Sequence, residues 1–517
     1  MMAICFLILA AIIATDTTAN TEAPLQIAFS ESRSGDLTAR QTDVFSISVE
    51  QGQLLRFSID KGDLALLTIL YDPAGNKLLE HISQDFEVVE ISFPIDIAGT
   101  YRIELQSREQ TAEPRRYDIK IHDLKNVTVL DRKDSEARQA VARAEVLRAN
   151  WTEASLRQAI AEYDKAVSIW TSISDFASAS RAMLKAAGVY FLLSEYAEAL
   201  KRYQGVEKLA VGEWLLRARA LSQMALLQSS SGNNDLAQQQ LTEALDLFEQ
   251  NGAHQNAIAA NIYGEVLSSL AEVTYAKGNL VKSSQQYESA LKAFQSDRKG
   301  EAKARLSLSY IAGSLGDPEK ALAHVSRSLE LYRAINNKSG EGFALVALGL
   351  SRSSKRDENG AIKLHGEAIK LFRTIGDKYA EGIALNALGQ AHFNLREDSI
   401  ALSNFQDALQ NFEDIGALDA VTMAAFKIAE VHQRNGQLDQ ELRYLERCLN
   451  VSRAAGKMRT EALALTRIAN AYAAQGRNDL ALRQHLKVLK FYEAKGDRRG
   501  QAIALNAYGD FLLLKLE

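Results

Sequence analysis

Cysteine is nearly absent, with two in 517 residues. Cys5 lies in an apolar N-terminal run, which leaves Cys448 alone in the rest of the chain. No intrachain disulfide framework can therefore be built, and the fold must hold by packing. Proline is also scarce, at five residues. Proline breaks helix interiors, so this scarcity favours long helical tracts. There is no excess of basic charge, since 60 Lys and Arg face 65 Asp and Glu. That balance argues against nucleic acid, which needs a clustered basic surface. Beyond the N-terminus no apolar segment reaches membrane-spanning length. No glycine-rich phosphate loop follows a strand, and no Ser/His/Asp arrangement has a supporting context. His324, His365, His392, His432 and His485 are scattered and share no helix face at ligand spacing. The sequence thus predicts no metal, no cofactor and no catalytic centre.

What is present begins with a short apolar stretch, Ala3–Ala14, followed by the small residues Thr17-Thr18-Ala19. This predicts a secretory signal peptide over 1–19, cleaved after Ala19 or Ala23, and an exported protein, periplasmic or extracellular. The expected lysine or arginine before the apolar run is missing. From 24 to 124 the text changes. "DVFSISV" (43–49), "LLRFSID" (54–60), "ALLTILY" (65–71), "EVVEISFPI" (87–95), "TYRIEL" (100–105) and "RYDIKI" (116–121) read as strands separated by turn residues. Six to eight short strands at this spacing predict a small antiparallel β-sandwich. Asp60, Asp63 and Asp72 punctuate its turns; they form no compact oxygen-ligand loop for calcium. A polar connector spans 125–136, and helical periodicity runs from Ala137 to the end.

Within the helical part, Ser296, Asn336, Gly376, Gly416, Gly456 and Gly496 recur at a 40-residue interval. A period of this size signals a solenoid whose units bury apolar faces only against their neighbours. In the unit starting at 376, Leu385, Leu388 and His392 share one face of a first helix. Gly389 marks a close approach. After the turn at Arg396-Glu397-Asp398, Ala401, Phe405 and Ala408 share a face of a second helix. The same slots recur as Ala199, Tyr203, Val206; as Ala237, Leu241, Ala244; as Ser283, Tyr287, Ala290; as Ala361, His365, Ala368; and as Ala481, His485, Val488. Cys448 falls in the slot of Ala408, where a small buried side chain is expected.

This pattern resembles the tetratricopeptide repeat. Its units are longer than the common length and lack the usual helix-ending proline. In this they are similar to the units of kinesin light chains, of GoLoco-linked polarity adaptors and of bacterial peptide-sensing regulators. The resemblance implies a mainly α fold, a right-handed α-solenoid preceded by the β-sandwich. A degenerate capping helix pair over 137–173 (Ala159, Tyr163, Ala166) leads into eight units over 174–495, and a lone helix follows at 496–517. The β-segment ("VEQGQLLRFSIDKGDLALLTILYDPAGNKLL", then "EISFPIDIAGTYRIEL") resembles the domain, related to pre-peptidase C-terminal domains, that precedes helical repeats in secreted bacterial proteins. The whole layout resembles secreted proteins that carry a caspase-like CHAT peptidase, although that peptidase is absent.

Three roles are compatible with this layout. The first is a non-catalytic scaffold that binds a peptide or protein segment in the concave groove. The second is the sensor part of a CHAT-type protease system. The third is a self-assembling envelope protein, joined through Phe511, Leu512, Leu513, Leu514 and Leu516 of the final helix. The groove face lies opposite Leu385 and Leu388. It carries Ile383, Asn386, Gln390, Phe393 and Asn394, then Phe426, Glu430, Gln433 and Arg434, then Thr466 and Asn470, then Asn506 and Asp510. Asparagine disfavours helix interiors, and its amide can both donate to and accept from an extended backbone. A peptide groove centred on 383–434 is the expectation.

Overall fold

A computed structural model describes residues 24–62, 64–83, 88–109, 113–123, 125–148, 152–193, 195–252, 256–294, 297–455, 457–495 and 498–513. The segment read as a signal peptide, Asp63, Gly456, Gly496 and Leu514 with Leu516 lie outside them. The chain divides into two compact units, Met1–Ser135 and Glu136–Glu517.

Among the described residues the first unit holds ten strands: β1 (Leu25–Gln26), β2 (Ser32–Leu37), β3 (Thr42–Val49), β4 (Gln53–Asp60), β5 (Leu66–Tyr71), β6 (Lys77–Ser83), β7 (Val89–Pro94), β8 (Gly99–Ser107), β9 (Arg115–Ile121) and β10 (Lys125–Asn126). One sheet runs β1-β3-β8-β5-β6. The other runs β10-β4-β9-β2, with β7 also on β4. Burial alternates along β5, β8 and β9, as the pleat requires. Phe45, Ile47, Tyr101, Ile103 and Leu105 from the first sheet meet Phe57, Ile59, Ile91, Tyr117 and Ile119 from the second in one core. The Tyr117 hydroxyl donates to Asp43 Oδ2 at 2.5 Å and so ties β9 to β3. Pairing is antiparallel throughout except at β1, which runs parallel to β3. That exception to the expected antiparallel fold arises where an N-terminal segment adds to an edge without a hairpin to reverse it. Asp72 accepts from the Asn76 backbone and amide, at 2.7 and 2.9 Å, which is turn closure.

Helix α1 (Val129–Arg148) begins inside the predicted connector. The reason is local: Thr128 Oγ1 accepts from Asp131 N while Thr128 N donates back to Asp131 Oδ2, a capping box. Helix α2 (Glu153–Ser172) completes the first pair. Eight pairs then follow: α3 (Phe176–Leu192) with α4 (Tyr196–Leu209), α5 (Trp214–Ser230) with α6 (Asn234–Asn251), α7 (Ala257–Ala276) with α8 (Leu280–Ala293), α9 (Arg298–Ser314) with α10 (Pro318–Ala334), α11 (Lys338–Ser354) with α12 (Glu358–Ile375), α13 (Lys378–Asn394) with α14 (Asp398–Asp414), α15 (Leu418–Arg434) with α16 (Leu438–Ala454), and α17 (Met458–Ala474) with α18 (Asn478–Lys495). Helix α19 (Arg498–Leu513) is last.

The repeat punctuation is physical. Asp175, Asn256, Asp297, Asn337 and Asp377 accept backbone N–H groups at the starts of first helices. Gly376 and Gly416 end second helices with φ of 70° and 68°, the left-handed geometry that glycine adopts freely. A Cβ on Gly389 would lie 2.7 Å from Phe405 Cε1, so the expected close approach is real. Cys448 is fully buried, and burial pushes its thiol up to about 12. Phe511, read as available to a second copy, is instead buried against the His485 ring at 5.2 Å. Leu505 and Leu512 on the same helix remain exposed.

Consecutive first helices touch one another along the array, and consecutive second helices have no comparable contact. The first helices therefore lie on the inside of the bend. Their close backbone approach runs from α3 to α15 and recurs between α17 and α19, whereas α15 and α17 meet mainly through side chains.

Candidate ligand-binding face of the helical array

Beside the contact of α15 with α17 lies a cavity of about 400 Å³, lined by Phe393, Ala429, Glu430, Gln433, Arg434, Glu441, Leu445, Arg467 and Asn470. Five of these, Phe393, Glu430, Gln433, Arg434 and Asn470, are among the residues that repeat spacing assigns to the expected groove face. The cavity is built from the ends of α13 and α15, the first turns of α16 and the middle of α17.

Arg434 is locked in place. Its guanidinium centre stacks 3.3 Å over the Phe393 ring. Nη1 donates to the Phe393 carbonyl at 2.7 Å, and Nε donates to Asp398 Oδ2 at 3.2 Å. Glu430 accepts from Lys427 Nζ at 3.0 Å and from Arg467 Nη2 at 2.9 Å. Burial pushes its carboxyl up, but these two cations outweigh it and hold the group below the usual carboxylate range. Arg467 also lies 5.1 Å from the Phe426 ring centroid, a cation–π distance. Glu441 differs from both. It is 2% exposed, and its Oε2 has no hydrogen-bond partner. Burial pushes its carboxyl up to about 7, against the opposing charge of Arg467.

The remaining predicted residues sit elsewhere on the first helices. Asn386 is 8% exposed, and neither its amide oxygen nor its nitrogen has a partner. Gln390 Nε2 donates to Asn394 Oδ1 at 2.9 Å, and Asn394 Nδ2 donates to Glu358 Oε1 at 2.9 Å, a bridge back to α12. Ile383 is half-buried against the core that runs from α9 to α15. Phe426 is buried, and Asn506 is exposed on α19. Sequence reasoning missed Ala429, Glu441, Leu445 and Arg467. Glu441 had a signal: it stands in the column otherwise held by Ala199, Ala237, Ser283, Ala321, Ala361, Ala401 and Ala481. Among the described residues no group of three or more His, Cys, Asp or Glu is placed to hold a metal ion. No described helix is long and apolar enough to cross a membrane.

The family profile for the tetratricopeptide repeat matches residues 178–250, which span α3 to α6. Over these residues the helical array is a tetratricopeptide-repeat solenoid, and the helix pairs that follow continue the same arrangement. No curated protein matches the chain in sequence. Among solved structures, similarity extends to a Rap protein complexed with competence and sporulation factor. The identity is 11%, with 64% of this chain and 98% of that one covered at a TM-score of 0.43. A signal-transduction ATPase from Pyrococcus horikoshii with a tetratricopeptide-repeat sensor is 15% identical, over 75% of this chain and 58% of that one, at 0.44. Aspartyl phosphate phosphatase F from Bacillus subtilis is 15% identical, over 63% and 92%, at 0.36. Tetratricopeptide-repeat proteins bind protein or peptide partners.

Proposed function

We propose that this protein is an exported, non-catalytic scaffold whose solenoid binds an extended peptide or protein segment along the first helices, centred on α13, α15 and α17. The observation that carries the reading is a pairing of features on one face. A cavity opens beside the contact of α15 with α17, and an almost buried Asn386 amide one unit earlier has neither of its atoms partnered. Unpartnered buried polar groups destabilise the unbound fold, and a ligand backbone would complete this one. Export rests on the N-terminal sequence alone.

Photo-crosslinking tests the location. A photoreactive residue replaces Gln433, exposed on the rim of the cavity, or Glu446, exposed on α16. Each full-length variant is irradiated with envelope extract. The expected result is a discrete adduct from position 433 and none from 446. Equal adducts from both, or an adduct from 446 alone, would refute an inner-face scaffold.

A further inference from the structure

Resting on that reading, we propose that the cavity between α15, α16 and α17 is a subsite for a cationic side chain with an apolar stem, a lysine or arginine of the bound segment. Glu441 is its counter-ion. Packing alone gives no reason for a carboxyl at this position. The other units fill it with alanine or serine, all buried, because two helices cross closely there. A glutamate in such a slot costs desolvation energy unless something pairs with it. In this structure Oε2 has no hydrogen-bond partner, and Arg467, bonded to Glu430, acts on Glu441 only through its charge at longer range.

The charge balance around the cavity decides the sign of the ligand. Arg434 is committed to Asp398, to the Phe393 carbonyl and to the ring beneath it. Arg467 and Lys427 are committed to Glu430. Both cations that line the cavity thus already have a carboxylate, and Glu441 is the lining acid left over. A ligand carboxylate would have to displace Asp398 or Glu430 and would then face Glu441. An ammonium or guanidinium would instead complete a charge-assisted hydrogen bond in a site sheltered from water. Ala429 and Leu445 supply apolar wall for the methylenes that carry such a head group. The volume of about 400 Å³ accommodates one long side chain.

The test uses the full chain and four small probes of similar length: n-butylguanidinium, n-butylammonium, 1-pentanol and pentanoate. Their binding is followed by saturation-transfer NMR. The two cations are expected to bind about tenfold more tightly than the alcohol, the margin of one good charge-assisted contact. Pentanoate is expected to bind more weakly than the alcohol. Glu441→Gln should abolish the cation preference. Glu441→Ala restores the residue of the other units, so it should fold normally and take the neutral alcohol at least as well as the cations. Pentanoate binding best, cation binding unchanged in Glu441→Gln, or no probe binding at all would each overturn the subsite. Repeating the Gln433 crosslink in Glu441→Gln separates the two readings. A surviving adduct with failed cation binding removes the subsite and leaves the inner-face scaffold standing.

Discussion

His365 shows how one buried ring writes a pH dependence into the array. It is fully buried on α12, and neither ring nitrogen has a partner. Burial holds it down to about 4, with Glu358 opposing, against an ordinary value of 6.5. Between these values the unfolded chain binds a proton that the folded chain refuses. Stability from this group is therefore complete above pH 6.5, falls as the pH drops, and levels out below about 4. The next unit places Phe405 in the same slot, over Gly389 as His365 lies over Gly349. His365→Phe should therefore fit. It is expected to raise stability at pH 4.5 by on the order of 1–3 kcal/mol more than at pH 7.5, as read by urea unfolding at both values. An identical gain at both pH values would show that the imidazole finds a proton-accepting partner in solution. Glu441 carries the opposite sign. Its folded value of about 7 lies above the ordinary 4.5, so its effect is absent below pH 4.5 and destabilising above 7.

The helix pair is the scale at which the sequence was most readable. Small residues lie under aromatic rings at several crossings. Gly342 lies under Phe372, Gly382 under Phe412 and Gly389 under Phe405, each with less than 3 Å for an added Cβ. Gly389→Ala should therefore force Phe405 off its seat and cost about 1–3 kcal/mol, the range for overpacked cores. A thermal melt checks it, and an unchanged midpoint would mean that the α13–α14 crossing is loose. Periodicity exposed these columns because it reports what every unit must do to pack. It put Phe393, Glu430, Gln433, Arg434 and Asn470 on the proposed groove face for the same reason, and these five line one cavity. It passed over Glu441, because an outlier in a column weakens the repeat that is being sought. It also could not show that Arg434 is held by Asp398, or Asn394 by Glu358. Those bonds depend on side-chain reach between units rather than on helix phase. In the first unit, alternation marked the strands, but the parallel edge pairing of β1 with β3 has no signature in so short a segment.

At the scale of the whole helical unit, the array bends until distant turns meet. The Tyr196 hydroxyl at the start of α4 donates to Asp419 Oδ2 in the first turn of α15 at 2.6 Å. Lys457 joins them, with Nζ 3.2 Å from Asp419 Oδ2 and 4.3 Å from the centre of the Tyr196 ring. Beside this clasp lies a cleft of about 510 Å³ between Thr152, Glu153, Ala154 and Arg157 on one side and Lys378 and Asp414 on the other. A 40-residue period describes only neighbours in sequence, so a contact across 223 positions could not be read from it. The contact surface is polar and partly exposed, and ion pairs of this kind contribute about 0–1 kcal/mol each and weaken with salt. The clasp is therefore a low-energy closure on a rigid spring of packed helices. Lys457→Gln should release it without unfolding any pair, because Lys457 sits between α16 and α17 rather than in a core. Hydrogen exchange should then quicken by about threefold to tenfold in the first turns of α4 and α15, as expected where local opening becomes easier. Exchange in the buried middle of α13 should stay unchanged. High salt on the unmodified protein should reproduce the same pattern, since it screens the same charges. If neither change alters exchange at α4 and α15, the curvature set by the first-helix contacts holds the turns together, and the clasp follows the bend instead of maintaining it.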